Sequence, residues 1–137
     1  MFTNCSIDSP PNREQAAQQA LLRVLYVEDN DYVRDLTLCL LEHPTRQIVA
    51  CKTGEEALDI FRRKPFDVLM TDVSLPNMSG VELAKRVRDL MPRVWVVLAS
   101  GYQFPKDIEG LGANVRAMPK PFESEDLDAL FREIGSG

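Results

Sequence analysis

The residues in this chain best suited to chemistry are oxygen acids, and each follows an apolar run. Glu28 and Asp29 follow Val24-Leu25-Tyr26-Val27, and Asp72 follows the run 66–71. Ser100 closes the stretch that begins Val94-Trp95-Val96-Val97-Leu98, and Lys120 comes shortly after the run 115–118. If those runs are neighbouring strands, three carboxylates, a hydroxyl and an ammonium meet at one edge. Three carboxylates brought together repel one another, so the group calls for a counter-charge. A hard divalent cation supplies it. Mg²⁺ fits, because it takes one or two carboxylates together with waters and phosphate oxygens. One carboxylate can then act as nucleophile toward a phosphoryl group, as aspartyl-phosphate chemistry requires. The ammonium and the hydroxyl would share the negative charge of the transferring group. Softer chemistry is poorly supplied. One His and three Cys without CxxC spacing argue against an all-protein zinc site and read as reduced thiols.

Short apolar runs and helical periods alternate along the chain, and these are the elements that would position the acids. The runs 24–27, 48–51, 66–71, 94–98 and 115–118 read as five strands. They are continuous rather than alternating, as expected when both faces of a sheet are covered. Val33, Leu36, Thr37, Leu40 and Leu41 have helical spacing, and Pro44 closes that helix. Ala57, Leu58 and Phe61 mark a second helix, and Leu83, Ala84, Val87, Leu90 and Met91 a third. A fourth, of about two turns, is expected over 105–111, with Ile108 and Leu111 inward. Ser124 is the expected N-cap of a last helix carrying Leu127, Leu130, Phe131 and Ile134 inward. The fold class is therefore α/β: a three-layer open sandwich around a five-stranded parallel sheet. The order 2-1-3-4-5, the flavodoxin-like order, is a common solution for right-handed crossovers. Ligands of such sheets bind beyond the carboxyl ends of the strands, which is where the acids fall.

The chain has 137 residues, enough for one domain, with 45% apolar and 27% charged residues. Its net charge of −5 argues against a general binder of nucleic acid or anionic membrane, although it does not forbid a local basic patch. No apolar run reaches membrane-spanning length, and the start lacks the pattern of a secretory signal. A cytoplasmic protein is expected. Ser9-Pro10-Pro11-Asn12 breaks the chain, and helix-forming residues follow to Leu22. Residues 1–22 therefore read as an arm or linker, and 23–135 as the domain.

Taken singly, the acids are weak signals. An acidic pair after a strand is most often a solvated turn or a helix cap, and an Asp there commonly starts a loop. Their combination is specific. LYVEDN (25–30), MTDVSLPNMSG (70–80), LASGY (98–102) and KPF (120–122) together resemble the four segments of a response-regulator receiver domain of two-component signalling. The resemblance implies that Asp72 accepts phosphate from a phosphohistidine on a partner histidine kinase or phosphotransfer protein. It implies that Glu28, Asp29, Asp72 and the main-chain carbonyl of Ser74 hold Mg²⁺. Ser100 would bond and sense the phosphoryl group, Lys120 would pair with its oxygens, and the Lys120–Pro121 bond would be cis. His43 fits no role, since the donor histidine belongs to the partner.

Two departures from the family pattern fall on the face that receivers use to signal. Ala117 stands where the family carries an aromatic, three residues before the lysine, and Tyr102 on the neighbouring loop is the substitute switch candidate. The segment 101–119 is also short. No effector sequence follows the last helix, so output is expected through protein contacts, without direct binding of nucleic acid. The expected role is that of a signalling module rather than a turnover enzyme. A phosphate-independent interaction module and a receiver excised from a hybrid histidine kinase are the alternatives. A haloacid-dehalogenase-type enzyme needs an acid two residues past the nucleophile, where Ser74 stands. A flavodoxin-like FMN carrier would need a Ser/Thr-rich phosphate loop, where acids stand.

Overall fold

The structure, a computed structural model, describes residues 21–102, 104, 108 and 111–136. Its elements run β1 (Leu22–Val27), α1 (Asp31–Leu41), β2 (Arg46–Cys51), α2 (Gly54–Arg63), β3 (Val68–Asp72), α3 (Gly80–Leu90), β4 (Trp95–Ser100), β5 (Val115–Pro119) and α4 (Ser124–Ser136). The five strands form one parallel sheet in the order β2-β1-β3-β4-β5, as the alternation of runs implied.

Side chains alternate across each strand, so one apolar run feeds two cores. Leu25 and Val27 of β1 join Leu69, Val96 and Leu98 against Ala57, Phe61, Leu83 and Val87 of α2 and α3. Val24 and Tyr26 join Val68, Met70 and Val97 against Leu41, Leu127, Phe131 and Ile134 of α1 and α4. Each fully buried Leu or Val contributes about 1.5–3 kcal/mol relative to exposure. The two layers of helix therefore hold the sheet rigid from both sides.

Capping side chains fix where the helices begin, and three of the four helices among the described residues start next to the carboxyl edge of the sheet with a clear cap. The side chain of Asn30 accepts from Val33 N, that of Thr53 from Glu56 N and that of Ser79 from Glu82 N. Each such cap is worth about 1 kcal/mol. Ser124 is the first helical residue of α4 rather than its cap. The Glu123 carbonyl accepts from Leu127 N, and the Asp126 carboxylate accepts from Glu123 N. The N–H groups of Asp126 and Leu127, which a serine cap would have taken, thus go to the Glu123 carbonyl. The helix expected over 105–111 lies largely outside the described residues. Ile108 and Leu111 have 3₁₀-helical conformation and pack on the α2–α3 core. The Lys120–Pro121 peptide is cis. Among the described residues, no helix is long and apolar enough to cross a membrane.

Candidate functional site

Parallel pairing brings the three acids together. Val27 at the end of β1 lies beside Thr71 of β3, so Glu28 and Asp29 leave β1 next to Asp72. Asp72 in turn pairs with Ala99, which places Ser100 one residue further along the adjacent strand. The result is a cluster in which Glu28, Asp29 and Asp72 each offer an oxygen within 4.8 Å of the others. Glu28 is 3% exposed, Asp72 is half-buried and Asp29 is exposed.

Lys120 reaches this cluster from the far side of the sheet. Its Nζ lies 3.1 Å from Glu28 Oε1 and 3.2 Å from Asp72 Oδ1. Its backbone N–H donates to the Ser100 carbonyl, at 2.8 Å, which ties the lysine to the hydroxyl-bearing strand end. Ser100 is buried, and its Oγ accepts from Tyr102 N at 3.0 Å. The hydroxyl hydrogen remains free to donate elsewhere. Ser74 is exposed in the loop two residues past Asp72, and the Tyr102 side chain points to solvent. Ala117 is exposed on β5, and His43 lies at the opposite end of the sheet, bonded to Thr45.

Charge in this cluster does not balance. Burial pushes the Asp72 carboxyl above the usual range, Lys120 opposes that, and Asp29 adds to it. Burial likewise pushes Glu28 up against the Asn30 N–H and Lys120, and Asp72 adds to it. Burial alone would lower Lys120, but Asp72 and Glu28 outweigh it and hold the ammonium above its ordinary value. One cation thus stands among three acids, and the two less exposed carboxylates still resist ionisation. An all-oxygen donor set with surplus negative charge fits a hard divalent cation such as Mg²⁺.

Two more residues shape the cluster, Arg34, which the sequence did not single out, and Gly80, whose role the sequence left unassigned. Arg34 Nη1 donates to the Glu28 carbonyl at 3.0 Å, and Nη2 donates to Asp31 at 2.5 Å. The guanidinium thereby pins the turn that carries the acidic pair. Its spacing of three from Asp31 on a helix start was the available signal. Gly80 is the second. A Cβ there would lie 2.1 Å from the Asp72 carbonyl oxygen, and Gly80 N donates to the Val73 carbonyl at 2.8 Å. Only a residue without a side chain lets the start of α3 close on the backbone of Asp72. Asn77 takes the left-handed conformation (φ 69°) in the same loop, which Asn tolerates better than most residues.

The comparisons agree with this geometry. A family model described as "Response regulator receiver domain" matches residues 24–132. The chain is 32% identical over 112 residues to the transcriptional regulatory protein CseB of Streptomyces coelicolor, covering 81% of this chain and 48% of that protein. It is 28% identical over 115 residues to the cell cycle response regulator CtrA of Brucella ovis, covering 82% and 50%. The chain therefore spans about half the length of the curated relatives it matches. Among solved structures, the chemotaxis response regulator CheY4 of Vibrio cholerae superposes with a TM-score of 0.74 at 25% identity, covering 83% of this chain and 98% of that one. A CheY-like receiver domain protein from Methanospirillum hungatei JF-1 gives 0.77 at 26% identity, covering 85% and 94%. Four strand-end segments, a parallel sheet in the order 2-1-3-4-5 and an acidic cluster beside a lysine thus coincide with a matched family. The chain belongs to the response regulator receiver domains of two-component systems.

Proposed function

We propose that this receiver is a phosphoacceptor and that Asp72 is its nucleophile. An Asp72 carboxylate oxygen attacks the phosphorus of a phosphohistidine on a partner histidine kinase or phosphotransfer protein. The P–O bond to Asp72 forms as the P–N bond breaks, and the nitrogen lone pair stays on the partner's imidazole. Glu28, Asp29 and Asp72, with the main-chain carbonyl of Ser74, would hold Mg²⁺. A bound Mg²⁺ supplies charge stabilisation to the phosphoryl oxygens. Lys120, already 3.2 Å from Asp72, offers its ammonium to one phosphoryl oxygen, and the Ser100 hydroxyl donates to another. The observation that carries this reading is the Glu28–Lys120–Asp72 contact with Asp29 in ligand range.

A docking surface flanks the cluster. Tyr32 and Leu36 of α1 are exposed. A groove of about 480 Å³ runs between Val33, Leu36, Thr37 and Leu40 on one side and Gly101, Lys120, Pro121 and Phe122 on the other. A histidine-bearing helix seated there would present its phosphoryl group beside Lys120. We assign residues 23–135 to the receiver and 1–22 to an arm or linker. A reducing, cytoplasmic setting suits the free thiols of Cys39 and Cys51.

Acetyl phosphate with Mg²⁺ tests this function. One phosphate, labile to both acid and base, should appear per chain on wild type, and Asp72→Asn should take up none by that route. A wild type that stays unmodified even with a competent kinase, or a label mapped elsewhere, leaves a phosphate-independent interaction module.

A further inference from the structure

A second surface lies at the opposite end of the sheet. The C-termini of α2 and α3 come together there, because each helix runs back to start the next strand. A depression of about 330 Å³ is lined by Phe61, Arg62, Arg63, Lys64, Pro65, Leu90 and Met91. Leu90 and Met91 are 46% and 37% exposed, the only adjacent pair among the exposed large apolar residues described. Arg62, Arg63 and Lys64 form one wall, and Arg93 follows two residues after Met91. Arg63 pairs with Asp59, but among the described residues no ion pair engages the side chains of Arg62, Lys64 or Arg93. Asp59, Asp67 and Asp89 are the acids nearest in sequence, and two of them are already paired, Asp59 with Arg63 and Asp67 with Arg23, so the cations of the patch outnumber the acids on a chain of net charge −5.

Helix ends explain part of this. Arg62 and Arg63 lie in the last turn of α2, where cations complement the helix dipole. Lys64, the C-cap of α2, also suits the dipole, but the dipole does not account for Arg93, two residues past the C-cap of α3, nor for an apolar pair left in solvent beside them. An apolar centre with a charged rim is the anatomy of a protein interface, and Met is adaptable enough to receive a partner's side chain.

We propose that this patch is a docking site for an acidic peptide segment of a partner protein, one that inserts an aliphatic or aromatic side chain between Leu90, Met91 and Phe61. The carboxylates of that segment meet Arg62, Lys64 and Arg93. Nucleic acid is disfavoured because the patch exposes no aromatic platform and the whole chain repels phosphates. An anionic membrane is disfavoured because a few cations contribute only about 1 kcal/mol each against that same net charge. The patch is small, so the contact is of the weak, transient class. It faces away from the acidic cluster, and a receiver can therefore hold a phosphodonor at one end and this segment at the other. The proposal does not depend on the phosphoacceptor reading of Asp72.

The probe is a short fluorescein-labelled peptide in which Asp and Glu flank a Leu-Phe pair, titrated into the full chain by anisotropy and mapped by amide NMR shifts. Shifts should concentrate at Lys64, Leu90 and Met91. Affinity should fall about tenfold in an Arg62→Glu/Lys64→Glu variant and again in a Leu90→Ser/Met91→Ser variant. Added salt should weaken binding to wild type more than to the charge-reversed variant. Both variants alter exposed positions, and their thermal unfolding should match wild type. Shifts elsewhere, no binding, or equal affinity in the charge-reversed variant would overturn the proposal. Tighter binding of duplex DNA or phosphatidylglycerol vesicles to the same residues would also overturn it.

Discussion

The two ends of the sheet handle buried charge in opposite ways. At the carboxyl end, Glu28 and Asp72 share one ammonium, with a third acid beside them. At the amino end, the Arg46 side chain is 2% exposed, and each of its terminal nitrogens has a partner while its buried Nε has none. It donates to the Leu41 carbonyl at 2.8 Å and to Asp128 at 2.5 Å, and it stacks over the Phe131 ring. Arg23 and Asp67 pair nearby through backbone and side chain. Balanced charge joins β2 to α4 and serves the fold. Unbalanced charge costs stability and is useful only if something else completes it. The contrast separates a structural end from a chemical end, and it can be broken experimentally.

The largest effect is expected from Gly80→Ala. The new Cβ would meet the Asp72 carbonyl oxygen at 2.1 Å and Val73 Cα at 3.0 Å, both backbone atoms with little room to yield. The loop must shift, and Asp72 with it. Misplacement of about 1 Å costs roughly a hundredfold in a positioned reaction. Phosphate uptake from acetyl phosphate should fall by that order, with thermal unfolding lowered as well. Uptake at the wild-type rate would mean that Asp72 does not depend on the close approach of α3.

Arg46→Met should do the reverse. It removes a buried guanidinium with its bonds to Leu41 and Asp128 and its stacking on Phe131. A loss of about 2–3 kcal/mol in urea unfolding is expected. The initial rate of phosphate uptake by the folded protein should be unchanged. A matching loss of rate would show that the two ends are not independent.

Acid titration should give the two ends opposite slopes. Asp72 and Glu28 are raised from ordinary values of 3.8 and 4.5, with burial the main cause. Their contribution to stability is greatest when they are protonated and declines as pH rises through those values toward the folded ones. Asp128 is lowered by its hydrogen bond to Arg46. Its contribution is present above its ordinary value and is lost as pH falls through the folded one. Asp72→Asn should therefore gain on wild type as pH rises from the ordinary carboxylate value toward neutrality. Saturating Mg²⁺ near neutrality should stabilise wild type by about 1–2 kcal/mol and the variant less. A variant no more stable than wild type at neutral pH, with or without Mg²⁺, would remove the surplus-charge account.

What was legible in the sequence follows the same division. The strands announce themselves because a sheet covered on both faces demands unbroken apolar runs, and the acids stand out because they interrupt those runs. Arg46 was not legible. It opens β2 two residues before the apolar run begins, and its partner Asp128 lies 82 residues away. A cation that reads as surface thus becomes the best-buried charge at that end. Gly80 stood in a recognised segment, but only the structure reveals which backbone atom it must avoid. Ser124 looked like a cap because hydroxyl caps are common, but the N–H groups of Asp126 and Leu127 go to the Glu123 carbonyl, and the Asp126 carboxylate bonds back to Glu123 N.

The smallest expected effect divides the carboxyl end itself. Ser100 is buried and holds the N–H of Tyr102, while the Tyr102 ring and Ala117 face solvent. Ala117 pairs in register with Leu98 on β4, three residues before Lys120. A tyrosine there adds an aromatic to an exposed face without entering the Glu28–Lys120–Asp72 contact. Stability should change by no more than about 0.5 kcal/mol and the rate of phosphate uptake by less than about twofold. The amide shifts that accompany phosphorylation should instead spread along β5 and to Tyr102, and affinity for an output partner should change more than the rate does. If rate and surface response move together, the buried chemistry and the exposed face of β5 are one unit. If only the surface responds, the missing aromatic at position 117 bears on how the phosphorylated state is read and leaves its formation untouched.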